Sequence, residues 1–435
     1  MGGRRRARRR RRAPVRRRAG PRAAGGARDP LPSRAHAHGH LLLVAARPRR
    51  GLRAPGHRRR RDRGLRDAPG AARAPGRGRG ARARAARAQG LGDAVRAVVF
   101  HGPGDLRYEE VPWPTPGPGE VVVRIEAALT CGTDVKVRRR GHPVMLPRVP
   151  TVFGHEFAGT VAAVGPGVRH LREGDRVVAA NSAPCGACRF CRAGRPNLCE
   201  DLLFVNGAYA EAIALPARLV AANVVPLGDA IPAARAAFAE PLACALLALD
   251  RAPLEAGQTV AIFGHGPLGC LLGLVAAARG ARVLLVGKRG WRLERVRALG
   301  IGECVDAVAV ADPVAEVRAR TDGRGAEVAI DATGRPEGWE QAVGAVARGG
   351  TVIFFGGCAP GTTVRLDTRR VHYDELTLVG AFHHTPDTIR RAVALLESGR
   401  LVPDGLLTHR MGLEAVGAAL DLMARGEALK VLIEP

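Results

Sequence analysis

The pattern of apolar and polar positions divides the chain into a stretch of short strands and a stretch in which strands alternate with helices. Between residues 95 and 240, apolar and β-branched residues form short runs that glycine and proline separate. Runs of this kind, bounded by turn residues, are typical of strands. We predict strands over 97–100, 106–111, 120–128, 157–164 and 176–179. Many short strands without intervening helices indicate a compact β-rich domain.

From residue 242 onwards, apolar strands alternate with helical segments. After a predicted helix over 242–250, the strand Thr259–Phe263 is continuously apolar and leads through glycines into a helix that ends at Arg279. Further strands are predicted over 282–286, 328–331, 351–355 and 376–382, with helices over 292–299, 339–347 and 385–398 and a closing helix and strand. This alternation is typical of a doubly wound parallel sheet. We therefore predict an α/β protein.

Residues 1–94 carry no such pattern. They hold 30 of the 68 basic residues, all of them arginine, and 4 of the 40 acidic residues, so nearly all of the net charge of +28 lies in them. They contain no aromatic residue, cysteine or isoleucine. Because such a segment cannot bury enough apolar surface to offset the entropy of ordering it, we expect it to be disordered.

Three explanations of this arginine-rich segment compete. A basic arm could bind nucleic acid through phosphates, although no aromatic side chain is available to stack on bases. A transit peptide is also arginine-rich and acid-poor, although this segment has a single serine, Ser33. We favour the third explanation, in which GC-rich upstream DNA has been translated and the true start is Val95, because GC-only codons encode Arg, Ala, Gly and Pro. The protein then needs no nucleic-acid partner.

The patterned region spans about 340 residues, a length that suits two domains better than one small core. Its apolar runs are shorter than the ~18 residues that a membrane-spanning helix needs. Its cysteines lie at spacings typical of metal sites, and such thiols stay reduced in the cytosol. We expect a cytoplasmic protein without a membrane partner.

A dense group of four cysteines is the most specific chemical signal in the chain. Cys185, Cys188, Cys191 and Cys199 lie within 15 residues. Four thiolates can close a tetrahedron around one zinc ion. The alternative, two disulfides in one short loop, would be strained. We predict a structural zinc site.

A glycine motif follows the first strand of the α/β stretch. Gly264, Gly266 and Gly269, with Pro267 and Leu268 between the last two, connect the strand Thr259–Phe263 to a helix. In this setting, glycines let the backbone approach a pyrophosphate, and the helix N-terminus stabilises its charge. The motif therefore predicts a dinucleotide cofactor.

The end of the next strand bears on which dinucleotide is bound. NAD enzymes usually place an acidic residue there to bind the ribose 2′-hydroxyl. This chain has Gly287 at that position, followed by Lys288 and Arg289, with Arg292 further on. Because these cations suit a 2′-phosphate, we favour NADP over NAD. The alternative is that they are ordinary solvated loop charges.

Zinc-binding residue types also occur in two short motifs of the β-rich stretch. Cys131 lies in CGTD after a predicted strand, and His155 and Glu156 lie in GHE. Three protein ligands leave a zinc position for water or substrate, as a catalytic site requires. Glu240, where the β-rich stretch ends, could be a fourth, exchangeable ligand or could lie beside the ligands.

Six motifs in this order resemble the zinc-dependent medium-chain dehydrogenases, over essentially all of 95–435. They are CGTD, GHE, GDRV at 174–177, the four cysteines, AEPLACA and the glycine motif. Glutamate in place of a second zinc-binding cysteine is similar to the threonine/polyol (sorbitol-type) dehydrogenase branch. The resemblance implies a GroES-like catalytic domain over 95–241 with a zinc lobe at 185–199, a Rossmann domain over 242–382, and a return of 383–435 to the catalytic domain.

The resemblance also implies roles for single residues. Cys131, His155 and Glu156 would bind a catalytic zinc ion with Glu240 beside it, which gives two Zn²⁺ per chain with the structural site. Thr133 would pass on the proton of the substrate hydroxyl. Lys136 stands where the family often has a relay histidine, so the proton could instead leave through water or the cofactor ribose. The implied cofactor contacts include Leu268, Arg292, Phe355, Gly356, Gly357, Ala381 and Phe382.

The expected activity is hydride transfer between a secondary alcohol and NAD(P). A polyol, a sugar or an amino alcohol such as L-threonine would be the substrate, and the carbonyl compound the product. One alternative is a zinc-independent quinone or enone reductase of the same superfamily, against which Cys131, His155 and the cysteine lobe argue. Another is a protein without enzymatic activity that binds nucleic acid through its arginine-rich segment. The family also implies a homodimer or homotetramer.

Overall fold

The computed structural model describes residues 93–288 and 290–435. Residues 1–92 and Arg289 lie outside the described residues. The expectations for the arginine-rich segment, and the part of Arg289 in cofactor binding, therefore remain predictions from the sequence.

The first half of the described chain is built from short strands, as predicted. They are β1 (Ala94–Gly102), β2 (Asp105–Pro112), β3 (Val121–Leu129), β4 (Thr151–Val152), β5 (Glu156–Val164), β6 (Arg176–Ala179), β7 (Ser182–Ala183), β8 (Leu203–Phe204), β9 (Ala212–Leu215) and β10 (Val224–Pro226). Strands β2, β1 and β4 form one sheet, and β10, β6, β5 and β3 are neighbours in another. In the antiparallel pair of β3 and β5, Leu129 lies opposite Glu156, so the end of β3 meets the start of β5.

Helices of the first half connect these strands and lead into the second half. They are α1 (Gly132–Arg140), α2 (Arg189–Arg192), α3 (Ala217–Asn223), α4 (Ala233–Ala236) and α5 (Ala239–Leu249). Helix α1 is not among the elements predicted from the sequence. Helix α5 is buried along its whole length, in agreement with its uniformly apolar sequence apart from Glu240.

The second half contains the predicted parallel sheet. Its strands are β11 (Thr259–Phe263), β12 (Arg282–Gly287), β13 (Glu303–Asp306), β14 (Ala326–Asp331), β15 (Val346–Phe354) and β16 (Thr377–Gly380). They are ordered 13-12-11-14-15-16 and every neighbouring pair is parallel. The helices are α6 (Pro267–Ala278), α7 (Gly290–Ala298), α8 (Pro313–Ala319), α9 (Pro336–Ala345), α10 (Thr368–Tyr373) and α11 (Pro386–Glu397).

Several boundaries in this half differ from the predictions. Strand β13 and helix α8 were not predicted, and the strand expected over 376–382 is shorter, because pairing with β15 ends at Gly380. Helix α9 begins three residues earlier than expected, at Pro336, since proline is well suited to the first turn of a helix.

The last part of the chain joins the first sheet. Strand β17 (Leu407–Gly412) pairs in parallel with β18 (Lys430–Glu434), and β18 pairs antiparallel with β3. Helix α12 (Val416–Arg425) connects these two strands. Pairing of β18 with β3 brings Lys430 towards the same sheet end as Leu129 and Glu156.

Two extensive apolar cores support these halves. In the β-rich half the rings of Phe100, Phe153 and Tyr209 follow one another at centroid distances of 5.6 and 6.0 Å. The other core joins α5, α6 and α11 to the parallel sheet. Within residues 93–288 and 290–435, the helices are too short or too polar to cross a membrane.

Candidate active site

A cavity of about 960 Å³ lies between the β-rich half and the parallel sheet. Its lining includes Cys131, His155 and Glu156 on one side, and the glycine loop at Gly266 on the other. Its size is within the range of sites for cofactors and small ligands. The two motifs that the sequence singled out for metal and for dinucleotide therefore face one cavity.

The ligand atoms of Cys131, His155 and Glu156 all lie within 4.8 Å of one another. The pairing of β3 with β5 causes this approach, since Cys131 follows β3 while Glu156 begins β5 and His155 directly precedes it. Cys131 is also the N-cap of α1, where its Sγ accepts a hydrogen bond from the Thr133 backbone at 3.4 Å. The predicted ligand set is thus brought together by local structure.

Asp134 is buried beneath this cluster and contacts three of its neighbours. One carboxylate oxygen, Oδ2, accepts hydrogen bonds from the Cys131 backbone at 3.0 Å and from the Tyr209 hydroxyl at 2.6 Å. The other, Oδ1, lies 3.0 Å from Nδ1 of His155, at ion-pair distance but outside hydrogen-bond alignment. Asp134 therefore fixes the start of α1 and the ring of His155 together.

The charges of this pair reinforce each other. Burial opposes the charged form of His155, but the Asp134 carboxylate outweighs burial and raises the histidine pKa well above its ordinary value. Burial likewise opposes ionisation of Asp134, but His155 and the hydrogen bonds that it accepts lower its pKa. A carboxylate behind a histidine is the usual support of a metal-binding imidazole.

Glu156 is fully buried and has two different oxygens. Oε2 forms an ion pair with Nζ of Lys430, whose side chain is also buried. Oε1 has no hydrogen-bond partner among the described residues. Burial raises the pKa of Glu156 although the charge of Lys430 opposes this. An orphaned carboxylate oxygen beside a thiol and an imidazole fits a divalent metal ion.

Glu240 approaches the same cavity from helix α5. Its Oε1 lies 3.7 Å from Sγ of Cys244 and 3.9 Å from Nε2 of His384. Glu240, His383 and His384 form a second group whose ligand atoms lie within 4.8 Å of one another. Burial raises the pKa of Glu240 to about 7. Glu240 therefore lines the cavity together with the cluster of Cys131, His155 and Glu156, but groups most closely with the two histidines.

The four predicted lobe cysteines converge. Their Sγ atoms all lie within 4.8 Å of one another, and that of Cys188 is 3.6 Å from that of Cys191 and 3.9 Å from that of Cys199. All four are free thiols, so the disulfide alternative is not realised. Backbone N–H groups, led by that of Glu200, lower the pKa of Cys188 to about 6, whereas burial raises that of Cys191 to about 12. Four converging sulfurs fit a tetrahedral zinc ion.

The glycine loop has the geometry that a pyrophosphate needs. Gly264 has a φ of +114°, and a Cβ on Gly269 would lie 1.8 Å from the Gly264 carbonyl oxygen, so a larger residue fits at neither position. A Cβ on Gly266 would meet nothing within 4 Å, which leaves open space in front of the loop. Gly266 is also the N-cap of α6, whose free N–H groups point towards that space.

The other residues predicted to contact the cofactor fall into two groups. Cavity-lining members are Gly266, Pro267, Leu268, Gly269, Phe355, Gly356, Gly357, Ala381 and Phe382. Gly264, Gly287, Lys288 and Arg292 do not line it. Nη2 of Arg292 donates to the Ala428 carbonyl at 2.7 Å, so this guanidinium is held by the C-terminal segment.

Helix α1 presents two further residues to the cavity. Thr133 and Lys136 both line it and lie about one helical turn apart, on one face of the helix. Nζ of Lys136 lies 3.5 Å from the Gly357 carbonyl oxygen, at the outer limit for a hydrogen bond. Lys136 therefore connects the first half of the chain with the turn after β15.

Two buried residues of the site were missed by sequence reasoning. Asp134 stands inside the quoted CGTD motif, but the motif alone does not reveal that its carboxylate contacts His155. Lys430 is 274 positions from Glu156, with which it pairs, and had only one signal: a single lysine inside the apolar run Leu429 to Ile433. A charged residue in such a strand is rarely buried unless it is paired.

Comparison with known proteins identifies the class of protein that has this architecture. Residues 117–227 match the alcohol dehydrogenase GroES-like domain, and residues 267–398 match the zinc-binding dehydrogenase domain. The chain therefore belongs to the zinc-binding dehydrogenases. This confirms the predicted GroES-like and Rossmann combination and the medium-chain dehydrogenase family.

Individual relatives define the branch. The chain is 30% identical to sorbitol dehydrogenase of Bacillus subtilis, over 78% of this chain and 97% of the relative. It is 34% identical to L-threonine 3-dehydrogenase of Mesorhizobium japonicum, over 75% and 94%. A Sinorhizobium meliloti structure assigned as a zinc-binding dehydrogenase and bound to NADP superposes with a TM-score of 0.73 at 30% identity, over 79% and 100%. The chain is an NAD(P)-linked alcohol dehydrogenase of the polyol/threonine branch.

Proposed function

We propose that this dehydrogenase oxidises a secondary alcohol at the cluster of Cys131, His155 and Glu156, with Glu240 beside it. The single observation that supports this best is the convergence of these ligand atoms within 4.8 Å, in the cavity that the glycine loop also lines. Zinc bound there would act as a Lewis acid that makes the substrate hydroxyl more acidic near neutral pH. The four lobe cysteines would hold a second, structural zinc ion.

The residues around the reacting hydroxyl divide the work of binding and proton transfer. Thr133 lines the cavity one residue from the helix start that Cys131 caps, so its hydroxyl can accept and pass on the substrate proton. Lys136 lies one turn further along, in place of a relay histidine. Because it is exposed to the open side of the cleft, water or the cofactor ribose completes the path.

We also propose that NADP is preferred over NAD. When bound, the nicotinamide would take up the hydride that the alcohol carbon loses. Gly266 and the start of α6 would hold the pyrophosphate, while Phe355 to Gly357 and Ala381 would lie along the nicotinamide end. Lys288 is exposed at the end of β12, where it can meet a 2′-phosphate. Among relatives of known structure, one is bound to NADP and another to NADH, so the proposal rests on the residues at the end of β12.

A neutral polyol, sugar or amino alcohol is the substrate class that we propose. His383 lines the cavity, and burial lowers its pKa to about 3, so its ring is a neutral partner for hydroxyl groups. The nearby Arg138, which could have attracted an anionic group, is instead bonded to Asp421 at 2.8 Å and to the Gly417 carbonyl at 3.0 Å. The named relatives act on sorbitol and L-threonine.

Two remaining proposals concern the oligomeric state of the enzyme and its location in the cell. A homodimer or homotetramer could form through β16, which is the edge strand of the parallel sheet and offers unpaired backbone groups. We propose a cytoplasmic location, because nine free cysteines with two metal-type clusters suit a reducing compartment.

The test uses the full chain loaded with zinc. NADPH and NADH formation would be followed with polyols, sugars, sugar phosphates and L-threonine, before and after chelation. We expect turnover of one substrate class that chelation abolishes and added zinc restores. A His155→Ala variant should lose turnover and one zinc ion, whereas the matched variant His372→Ala, on an exposed helix, should keep both. Turnover that survives chelation, with metal loss verified, would support the zinc-independent reductase instead.

A further inference from the structure

The ring of His265, inside the glycine motif, lies against Gly287 at the end of β12. A Cβ built on Gly287 would lie 2.3 Å from both Cγ and Cδ2 of His265, and 2.7 Å from its Nε2. No real side chain could tolerate that approach, so the ring would have to move. His265 is 8% exposed and thus packed in place.

The backbone does not itself require glycine at position 287. Gly287 is absent from the glycines with positive φ, and it continues the regular parallel pairing of β12 with β13. The requirement comes from the histidine, which takes the volume that a side chain at position 287 would need. Residues 265 and 287 are therefore sterically coupled across 22 positions of sequence.

The volume that the His265 ring occupies bears on which dinucleotide the site can bind. The end of this strand is where an NAD enzyme usually carries the carboxylate that binds the ribose 2′-hydroxyl. The acidic residue paired with Gly287 in the next strand, Asp306, accepts a hydrogen bond from the Val308 backbone at 2.9 Å. Its carboxylate thus caps its own turn.

We propose that His265 is a specificity-determining residue that selects NADP over NAD. Its ring excludes an acidic side chain from position 287 and, together with the exposed Lys288, offers nitrogen donors to a 2′-phosphate. The inference rests on the proposed use of NADP and adds the residue that enforces it. It needs no change in the zinc site or in the substrate.

Calorimetric titration of the full, zinc-loaded chain with NADP and with NAD tests this without turnover. The variants are His265→Ala, Gly287→Asp and the double variant. We expect His265→Ala to weaken NADP binding about tenfold and NAD binding less than about twofold. Gly287→Asp should bind both cofactors poorly, because the new side chain meets the ring and repels a phosphate. The double variant should bind NAD about tenfold more tightly than Gly287→Asp does.

Matched controls separate this coupling from general damage. Gly417→Asp adds an acid on α12 where a Cβ meets nothing within 4 Å, and it should bind both cofactors as the unaltered chain does. If Gly287→Asp fails to fold, as circular dichroism and zinc content would reveal, His265→Ala still tests the donor role.

Three results would overturn the proposal in distinguishable ways. Equal NAD affinity of Gly287→Asp and the double variant would remove the steric role of His265. Unchanged NADP affinity of His265→Ala would remove its contact with the phosphate. Preference of the unaltered chain for NAD would overturn the proposed cofactor as well, while leaving the zinc-dependent activity intact.

Discussion

Nζ of Lys430, in the last strand β18, is ion-paired with Oε2 of Glu156. Glu156 is the first residue of β5 and a member of the candidate metal cluster. Both side chains are buried, and they are 274 positions apart in sequence. The lysine leaves Oε1 of the same carboxylate without a partner among the described residues. It can therefore keep Glu156 ionised and orient it, so that one oxygen faces the lysine and the other is available to a metal ion.

Replacing Lys430 with methionine should destabilise the protein by about 3 kcal/mol, because it leaves a buried carboxylate without its counter-charge. The measurement is urea unfolding of the chelated protein, so that loss of zinc does not contribute. Lys430→Met combined with Glu156→Gln should recover part of the loss, since neither charge then remains buried. A single variant as stable as the unaltered chain would contradict the contact.

Asp134→Asn should weaken zinc binding at the cluster by about tenfold or more, because the residue positions the ring of His155. It should also change the number of protons that are released when zinc binds. Asp134 raises the pKa of His155, so zinc must displace a proton from this ring in the unaltered chain at neutral pH. The variant should release fewer protons when zinc binds, which calorimetry in buffers of different ionisation enthalpy measures. Unchanged proton release would show that Asp134 is only structural.

Cys199→Ser should remove one of two expected zinc ions and leave the other, because it breaks the four-sulfur cluster and leaves Cys131, His155 and Glu156 unchanged. Metal content per chain, measured by mass spectrometry, is the readout. Cys358→Ser is the matched control, since Cys358 is a partly buried thiol outside both metal clusters. Loss of both ions together would indicate that the lobe and the cavity site do not load independently.

Lowering the pH should weaken the ion pairs that connect Asp250, at the end of α5, with Arg279 and Arg391. Asp250, at the end of α5, accepts from Arg279 at 2.6 Å and from Arg391 at 2.7 Å. Partial burial opposes its ionisation, but these two arginines outweigh burial and lower its pKa. The stabilisation is therefore fully present above the unfolded pKa of about 3.9 and disappears as the pH falls through the lower folded value.

Asp250→Asn should thus lower the free energy of unfolding by about 1 kcal/mol at pH 7, and by progressively less below about pH 4. Thermal melts across this range provide the comparison. Asp387→Asn is the control, because Asp387 is exposed and contacts only Arg391 of this group, at 3.3 Å. A difference that grows towards acid would mean that the sign of the pKa shift is wrong.

Sequence patterns identified the elements that depend on apolar runs and missed those that depend on tertiary contacts. Strand Thr259–Phe263 was predicted with its bounds because it is a continuous apolar run before glycines. Helix α1 was missed since Val135 to Arg140 has no clear amphipathic face. Its stability comes from the cap made by Cys131 and Asp134 and from the contact of Arg138 with Asp421.

The candidate site divides in the same way. The convergence of Cys131 with His155, and of the four lobe cysteines, could be anticipated because a zinc site would restrict both residue type and spacing. Lys430 and His265 could not, because their roles depend on which residues the fold places against them. The sequence also could not show that Arg292 does not line the cavity. Its guanidinium is instead bonded to the Ala428 carbonyl.

The position of β18 has a consequence for how the enzyme is made. The ribosome releases the chain from its N-terminal end, so Cys131, His155 and Glu156 emerge long before Lys430. Until the final strand is inserted beside β3, Glu156 has no buried counter-charge and the inner sheet lacks a member. The nascent protein can therefore form its parallel sheet while its reactive centre stays incomplete, and loss of the last six residues would remove both Lys430 and a buried strand that joins β3 to β17.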